Sequence, residues 1–242
     1  MQEWLKKQAT DFVTAFVVDN RWKYIVEGIQ NTLILTFFAL ILGVILGIIV
    51  AAVRSTYDKQ YKVMRKGIAK MLLGIFNFIS KVYLTVIRGT PAMVQILIIF
   101  FIIMASSNNK MLCGIIAFGI NSGAYVAEII RSGIMSIDQG QTEAGRSLGF
   151  NYVQTMWYIV MPQAFKNILP TLANEFIVLL KETAIAGYVG VTDLTRGANI
   201  IRGVTYQSFW PLLAIAAIYL IMVMFFTWLV GRLERRLRSS ER

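Results

Sequence analysis

"GIQNTLILTFFALILGVILGIIVAAV", residues 28 to 53, runs without one charged side chain. About 20 apolar residues cross the hydrocarbon core of a bilayer as a helix. No water reaches that core, so backbone polar groups must pair within the segment, which selects a helix. Gly28 to Val53 is therefore expected to be a membrane span. Its Gly43 and Gly47 form a small-xxx-small step that lets a second helix approach closely, and helix packing is their simplest role.

The rest of the chain agrees with a membrane reading. Of 242 residues, 57% are hydrophobic and 15% charged, where a soluble domain carries about 25% charge. Net charge is +11. In a soluble chain that would suggest nucleic acid, but here the basic residues flank apolar runs, where they set orientation in a bilayer. The absence of histidine excludes an imidazole base and a His-ligated metal. The single cysteine, Cys113, lies in an apolar run and reads as a small buried hydrophobe. Residues 1–25 form a leader without the short apolar core of a cleavable signal. Its helical periodicity and two tryptophans fit either a helix along the membrane interface or an ordinary solvated segment.

Further runs follow. Residues 71 to 105 read as one long or broken helical region, interrupted at "RGTP" (Arg88 to Pro91), with its second half expected to span. Proline removes a helix hydrogen bond and biases the residue before it away from helix. Met111 to Gly133 is a third span, Ile168 to about Val189 a less apolar fourth, and Gly203 to Gly231 a fifth. The fold class is thus all-α, a polytopic membrane protein with five transmembrane helices. Arg54, Lys59, Lys62, Arg65, Lys66 and Lys70 crowd the first loop, and the tail "RLERRLRSSER" is also basic. Positive loops face the cytoplasm, so the N-terminus is expected outside and the C-terminus inside. Residues 134 to 167 then lie in the cytoplasm.

That cytoplasmic segment carries a spaced pattern: Glu143-Ala144-Gly145, three residues, Gly149, nine residues, Ile159, one residue, Met161-Pro162. It resembles the coupling loop of ABC-transporter permeases, E-A-A, three residues, G, nine residues, I, one residue, L-P, with Gly145 and Met161 as departures. "VIRGTPAMVQ", "INSGAYVAEIIRSGI", "SIDQGQTEAGRSLG", "MPQAFKNILPTLANEFIVLLKETAI" and "DLTRGANII" extend the resemblance, from about residue 26 to the end, to the permeases of polar amino-acid importers of the binding-protein-dependent inner-membrane family. The resemblance implies a transmembrane domain over 26–235 with its coupling loop at about 134–165, and a basic cytoplasmic tail at 236–242. It implies a multi-pass protein of a prokaryotic cell membrane, paired with a second permease copy, expected to be identical. It also implies a cytoplasmic ATP-binding subunit and an extracytoplasmic amino-acid-binding protein. Glu143, Ala144, Gly145, Gly149, Ile159 and Pro162 would couple to the ATPase. No GxxxxGK[ST] phosphate loop occurs in the chain, so ATP and magnesium would be held by the partner, with no cofactor here.

Polar groups inside spans mark pathways. Asn121, Tyr125 and Glu128 fall on one helical face, and Glu175 and Glu182 on another. Glu128 and Glu182 fit a pathway role or ion pairs with Arg131 or Lys181 equally well. Glu175 lies deeper, without an obvious local partner, and is expected to meet ligand. "KETAIAGYVG" could unwind its helix, offering backbone N–H groups and the Thr183 hydroxyl to a substrate carboxylate. Asn121, Ser122, Tyr125, Glu175 and Thr183 are the candidate substrate-binding residues, for a polar and basic L-amino acid. The rival classes are an ion-coupled carrier or channel, for which no inverted repeat or filter sequence is evident, and a membrane enzyme, for which the acids form no catalytic set.

Overall fold

The computed structural model describes residues 1–239, with side chains through Arg236. Of the expected basic tail, 236–242, residues 240–242 lie outside the described residues. The described chain is helical throughout. Helix α1 (Gln2–Phe16) leads through a 3-10 turn (Val18–Asn20) into α2 (Trp22–Gln60). Then come α3 (Ile68–Gly89), α4 (Ala92–Ile98) with a π turn (Ile99–Ile103), and α5 (Lys110–Met135). Helices α6 (Gln139–Ser147) and α7 (Tyr152–Thr155) precede a π turn (Met156–Val160) and α8 (Met161–Glu182). A 3-10 stretch (Thr183–Val189), α9 (Leu194–Thr205) and α10 (Phe209–Ser239) complete the fold.

Among the described residues, four helices are long and apolar enough to cross a membrane, those within Val18–Gln60, Ile68–Gly89, Lys110–Met135 and Phe209–Arg236. Helix α8 is 22 residues long but less apolar, with Lys166, Asn167, Asn174, Glu175, Lys181 and Glu182 along it. The break expected at "RGTP" is present: Thr90 is extended and α4 starts after Pro91. The two halves of 71–105 differ in length. The first half is the helix of crossing length, while Ala92–Ile103 is short.

Burial is inverted relative to a soluble protein. Phe37, Ile41, Ile45 and Ile48 of α2, Phe78 of α3 and Leu220, Ile221 and Met224 of α10 are exposed, while Thr32, Thr36, Ser80 and Ser122 are buried. A large apolar exterior around a partly polar interior is what a hydrocarbon solvent selects.

The centre of the fold is the crossing of α2 over α5. A Cβ on Gly43 would lie 3.1 Å from Ser122 Cβ, and one on Gly47 would lie 2.5 Å from Val126 Cγ1. Both glycines therefore serve close helix approach. One apolar cluster joins Leu35, Ile96, Phe118 and Leu179 across α2, α4, α5 and α8. Another joins Ala51, Val126, Ile130, Ala164 and Ile168, fixing α8 against α5. A third, described below, holds α1 on α9 and α10.

Candidate functional site

Where α5 and α8 face each other beside the end of α3, a cavity of about 560 Å³ opens. Its wall includes Arg88, Tyr125, Glu128, Ser132, Ser136, Asn167, Thr171 and Glu175. Fully buried Ser122 donates a hydrogen bond to Glu175 Oε1 at 2.9 Å, which orients the carboxyl at the cavity wall. Arg88, at the last turn of α3, lies over the Tyr125 ring, 5.9 Å from its centroid. Its Nη1 is 3.5 Å from Glu128 Oε2. Arg131 holds the other Glu128 oxygen at 3.1 Å and reaches Asp58 at 3.3 Å. The cavity thus carries a guanidinium, an aromatic face, hydroxyl and amide groups and one serine-anchored carboxyl. That set can bind a small zwitterion.

The five candidate residues separate. Ser122, Tyr125 and Glu175 meet at or beside the cavity. Asn121 is 2% exposed and donates to Gln95 Oε1 at 2.9 Å. Gln95 in turn donates to Ile87 O at 2.7 Å, Thr90 O at 3.0 Å and Thr90 Oγ1 at 2.7 Å, closing the break between α3 and α4. Thr183 is fully buried and donates to Leu180 O at 2.8 Å. Its oxygen lies 3.5 Å from Thr36 Oγ1, at the point where α8 gives way to the 3-10 stretch. Both side chains are engaged in packing. Glu128 makes ion pairs with Arg131 and Arg88 and also lines the cavity. Arg88, Asn167 and Thr171 went unnoticed in the sequence. A signal for Arg88 is in the sequence, since a cation three residues before a helix-breaking proline is placed where the helix stops covering it.

The second site is the segment between α5 and α8. Asp138 caps α6, accepting from Gly140 N at 2.7 Å. At its far end Gly149 adopts φ +87°, Phe150 N–H reaches Gly145 O at 3.1 Å and Gly149 N–H reaches Arg146 O at 3.0 Å. This is the paired bonding of a Schellman cap, with glycine in the left-handed position. Asn151 and Gln154 then form a capping box that starts α7. A Cβ on Gly145 would lie 2.7 Å from Ile159 Cδ1 and 2.9 Å from Thr155 Cγ2. Gly145 and Ile159 therefore fold the segment on itself, while Glu143, Ala144, Gly149 and Pro162 stand at the surface. Leu148 and Val153 beside them are 74% and 71% exposed, an apolar pair that the fold leaves uncovered.

The model of the family described as "Binding-protein-dependent transport system inner membrane component" matches residues 67–239. The chain belongs to this family. The permease is a multi-pass transport component of the bacterial inner membrane rather than an enzyme, which sets aside the ion-coupled carrier and the channel. It is 35% identical, over 90% of its length and 94% of theirs, to the arginine transport system permease protein ArtQ of Bacillus subtilis (strain 168). It is 33% identical to the glutamine transport system permease protein GlnP of Escherichia coli (strain K12), covering 88% of this chain and 93% of that one. A crystal structure of an amino acid ABC transporter with histidines superimposes with a TM-score of 0.79 and 42% identity, over 91% of the permease and 98% of that chain. The MetNI methionine ABC transporter in an inward-facing form shares the fold, with a TM-score of 0.74 at 18% identity. Family membership implies an ATPase partner and a substrate-binding protein.

Proposed function

We propose that the permease passes a polar, basic L-amino acid through the cavity between α5 and α8. Ser122, Tyr125 and Glu175, from the original candidates, are joined by Arg88. The observation that carries this reading is the Ser122-anchored carboxyl of Glu175 sharing a cavity wall with Arg88. A carboxylate and a guanidinium on one wall suit a substrate bearing both charges. The arginine- and glutamine-transport relatives and the histidine-bound neighbour support an amino-acid cargo with a nitrogen-rich side chain.

Two permease copies, expected to be identical, would enclose the pathway, and ATP and magnesium would be bound by the partner ATPase. The segment from Glu143 to Pro162 would transmit its motion, with Leu148 and Val153 as the apolar contact and Gly149 as the turn between α6 and α7. The test is reconstitution of the complete importer in liposomes, with ATP-driven uptake of labelled arginine challenged by lysine, histidine, glutamine and leucine. Basic amino acids should compete best, glutamine weakly and leucine not at all. Equal competition by leucine would overturn the basic-substrate reading while leaving the importer assignment standing.

A further inference from the structure

Helix α1 lies outside the matched family region, and its three sides differ. One side is docked. Ala15 and Phe16 are buried with Ile25 of α2, Leu194, Ala198 and Ile201 of α9, and Ile215 of α10. Gln207 Nε2 donates to Asp11 Oδ1 at 3.0 Å, and Phe12 meets Trp210 edge-on at 5.3 Å. The turn into α2 is fixed as well. Asp19 and Asn20 both take φ 54°, a left-handed conformation that Asp and Asn tolerate better than most residues. Arg21 ties the turn down by donating to Thr14 O and Asp19 Oδ2, each at 2.6 Å. The helix is therefore held in place rather than trailing.

The remaining surface divides by polarity. Leu5 and Ala9, one turn apart, form an exposed apolar face that the half-exposed Phe12 joins to the docked side. Lys7 and Thr10 are exposed on the opposite side. Trp4 stands at one end of the helix, and Trp22 and Tyr24 just beyond the other, all exposed. Phe12 meets Trp210, which meets the exposed Phe209 at 5.3 Å, so this face adjoins the start of α10.

We propose that α1 lies in the headgroup–acyl boundary of the leaflet at the N-terminal end of α2, with Leu5 and Ala9 toward the acyl chains and Lys7 and Thr10 toward water. The apolar face adjoins the start of α10, the tryptophans match the aromatic belt of a membrane interface, and the lysines favour anionic headgroups. Lys6, flanking the apolar face, can extend its ammonium to the water.

The test places single spin labels at Leu5, Ala9, Lys7 and Thr10, in a Cys113→Ala background, on the assembled transporter in nanodiscs containing anionic lipid. Collision rates with oxygen and with a water-soluble nickel chelate are then compared. Labels at Leu5 and Ala9 should favour oxygen and those at Lys7 and Thr10 the nickel reagent, so that the ratio inverts across the helix. Nickel accessibility at all four sites means a solvated helix. Shielding of Leu5 and Ala9 from both reagents means that protein covers this face. Either result overturns the proposal. The labelled positions are surface ones, and only complexes that elute as intact assemblies are measured, so misfolding does not imitate either result.

Discussion

Gly149 and Glu175 make different demands on a single side chain. A Cβ on Gly149 would meet nothing within 4 Å, so crowding is absent and the demand is φ +87° itself. An L-residue in the left-handed region costs about 1–2 kcal/mol, less for Asn. Gly149→Ala should therefore weaken the α6 cap and lower substrate-stimulated ATP hydrolysis, Gly149→Asn should retain most of it, and Gly149→Trp, which adds bulk at the expected ATPase contact, should abolish it. Assaying all three in assembled complexes checks this, and full stimulation with Trp removes the coupling role. At Glu175 the demand is charge. A hydrogen bond to a charged group contributes roughly 1.5–3 kcal/mol, and 1.4 kcal/mol is tenfold. Glu175→Gln should thus lower uptake of arginine or lysine about 10- to 100-fold and of glutamine much less, normalised to permease in the membrane. Equal losses would return Glu175 to a structural role with Ser122. The sequence revealed Glu175 because it lacked a local partner along its own helix. It could not reveal that Asn121, one residue from Ser122, turns to α4 instead, since that depends on where Gln95 arrives after a helix break.

At the scale of elements, the α3–α4 break is held by one side chain. Gln95 satisfies Ile87 O and Thr90 O and receives Asn121, all part-buried or buried. Gln95→Leu keeps the volume but strands these groups. Each unsatisfied buried partner costs about 1–3 kcal/mol. The variant should lose thermal stability well beyond a surface control in detergent unfolding, and an unchanged midpoint would mean that water takes the amide's place. Asp193 sets the entry to α9, accepting from Arg196 N at 2.8 Å while fully buried, and that burial pushes its carboxyl up from 3.8 to about 6. A raised folded value favours the protonated form, so its stabilisation is present below pH 3.8 and is lost as pH rises through about 6. The parent's unfolding temperature should fall between pH 4 and 7, and Asp193→Asn, which still caps the helix but cannot ionise, should flatten that fall. The break at Pro91 was legible because proline dictates it locally. The length of α3 was less legible, because Lys81 depresses its apparent hydropathy.

The whole molecule constrains its own topology through contacts between distant ends. Arg131 and Asp58 pair at 3.3 Å, so the C-terminal end of α5 lies beside the C-terminal end of α2. Asn31 donates to Thr192 O at 2.7 Å, and Leu194 N–H donates to Thr32 Oγ1 at 3.1 Å, so the opposite end of α2 lies beside the connection between α8 and α9. The chain therefore reverses between α5 and α8, and α8 must run back across the thickness that α2 and α5 cover. A crossing segment with acids and lysines along it fits because two of its faces meet protein rather than lipid: Ile168 packs with Ile130 and Ala164, and Leu179 with Phe118. That is why hydropathy understates α8; four described helices have the length and hydropathy of a span, and we propose α8 as a fifth. Five crossings would put the two termini on opposite sides, with the basic loop from Arg54 to Lys70 and the tail after Gly231 sharing one. Positive loops are retained in the cytoplasm. A cysteine added before Gln2 should therefore react with an impermeant maleimide in intact cells, and one added after Arg242 should react only once the cells are opened. Labelling of both termini from the same side would require an even number of crossings, and α8 would then have to reach the level of Thr192 without spanning the membrane.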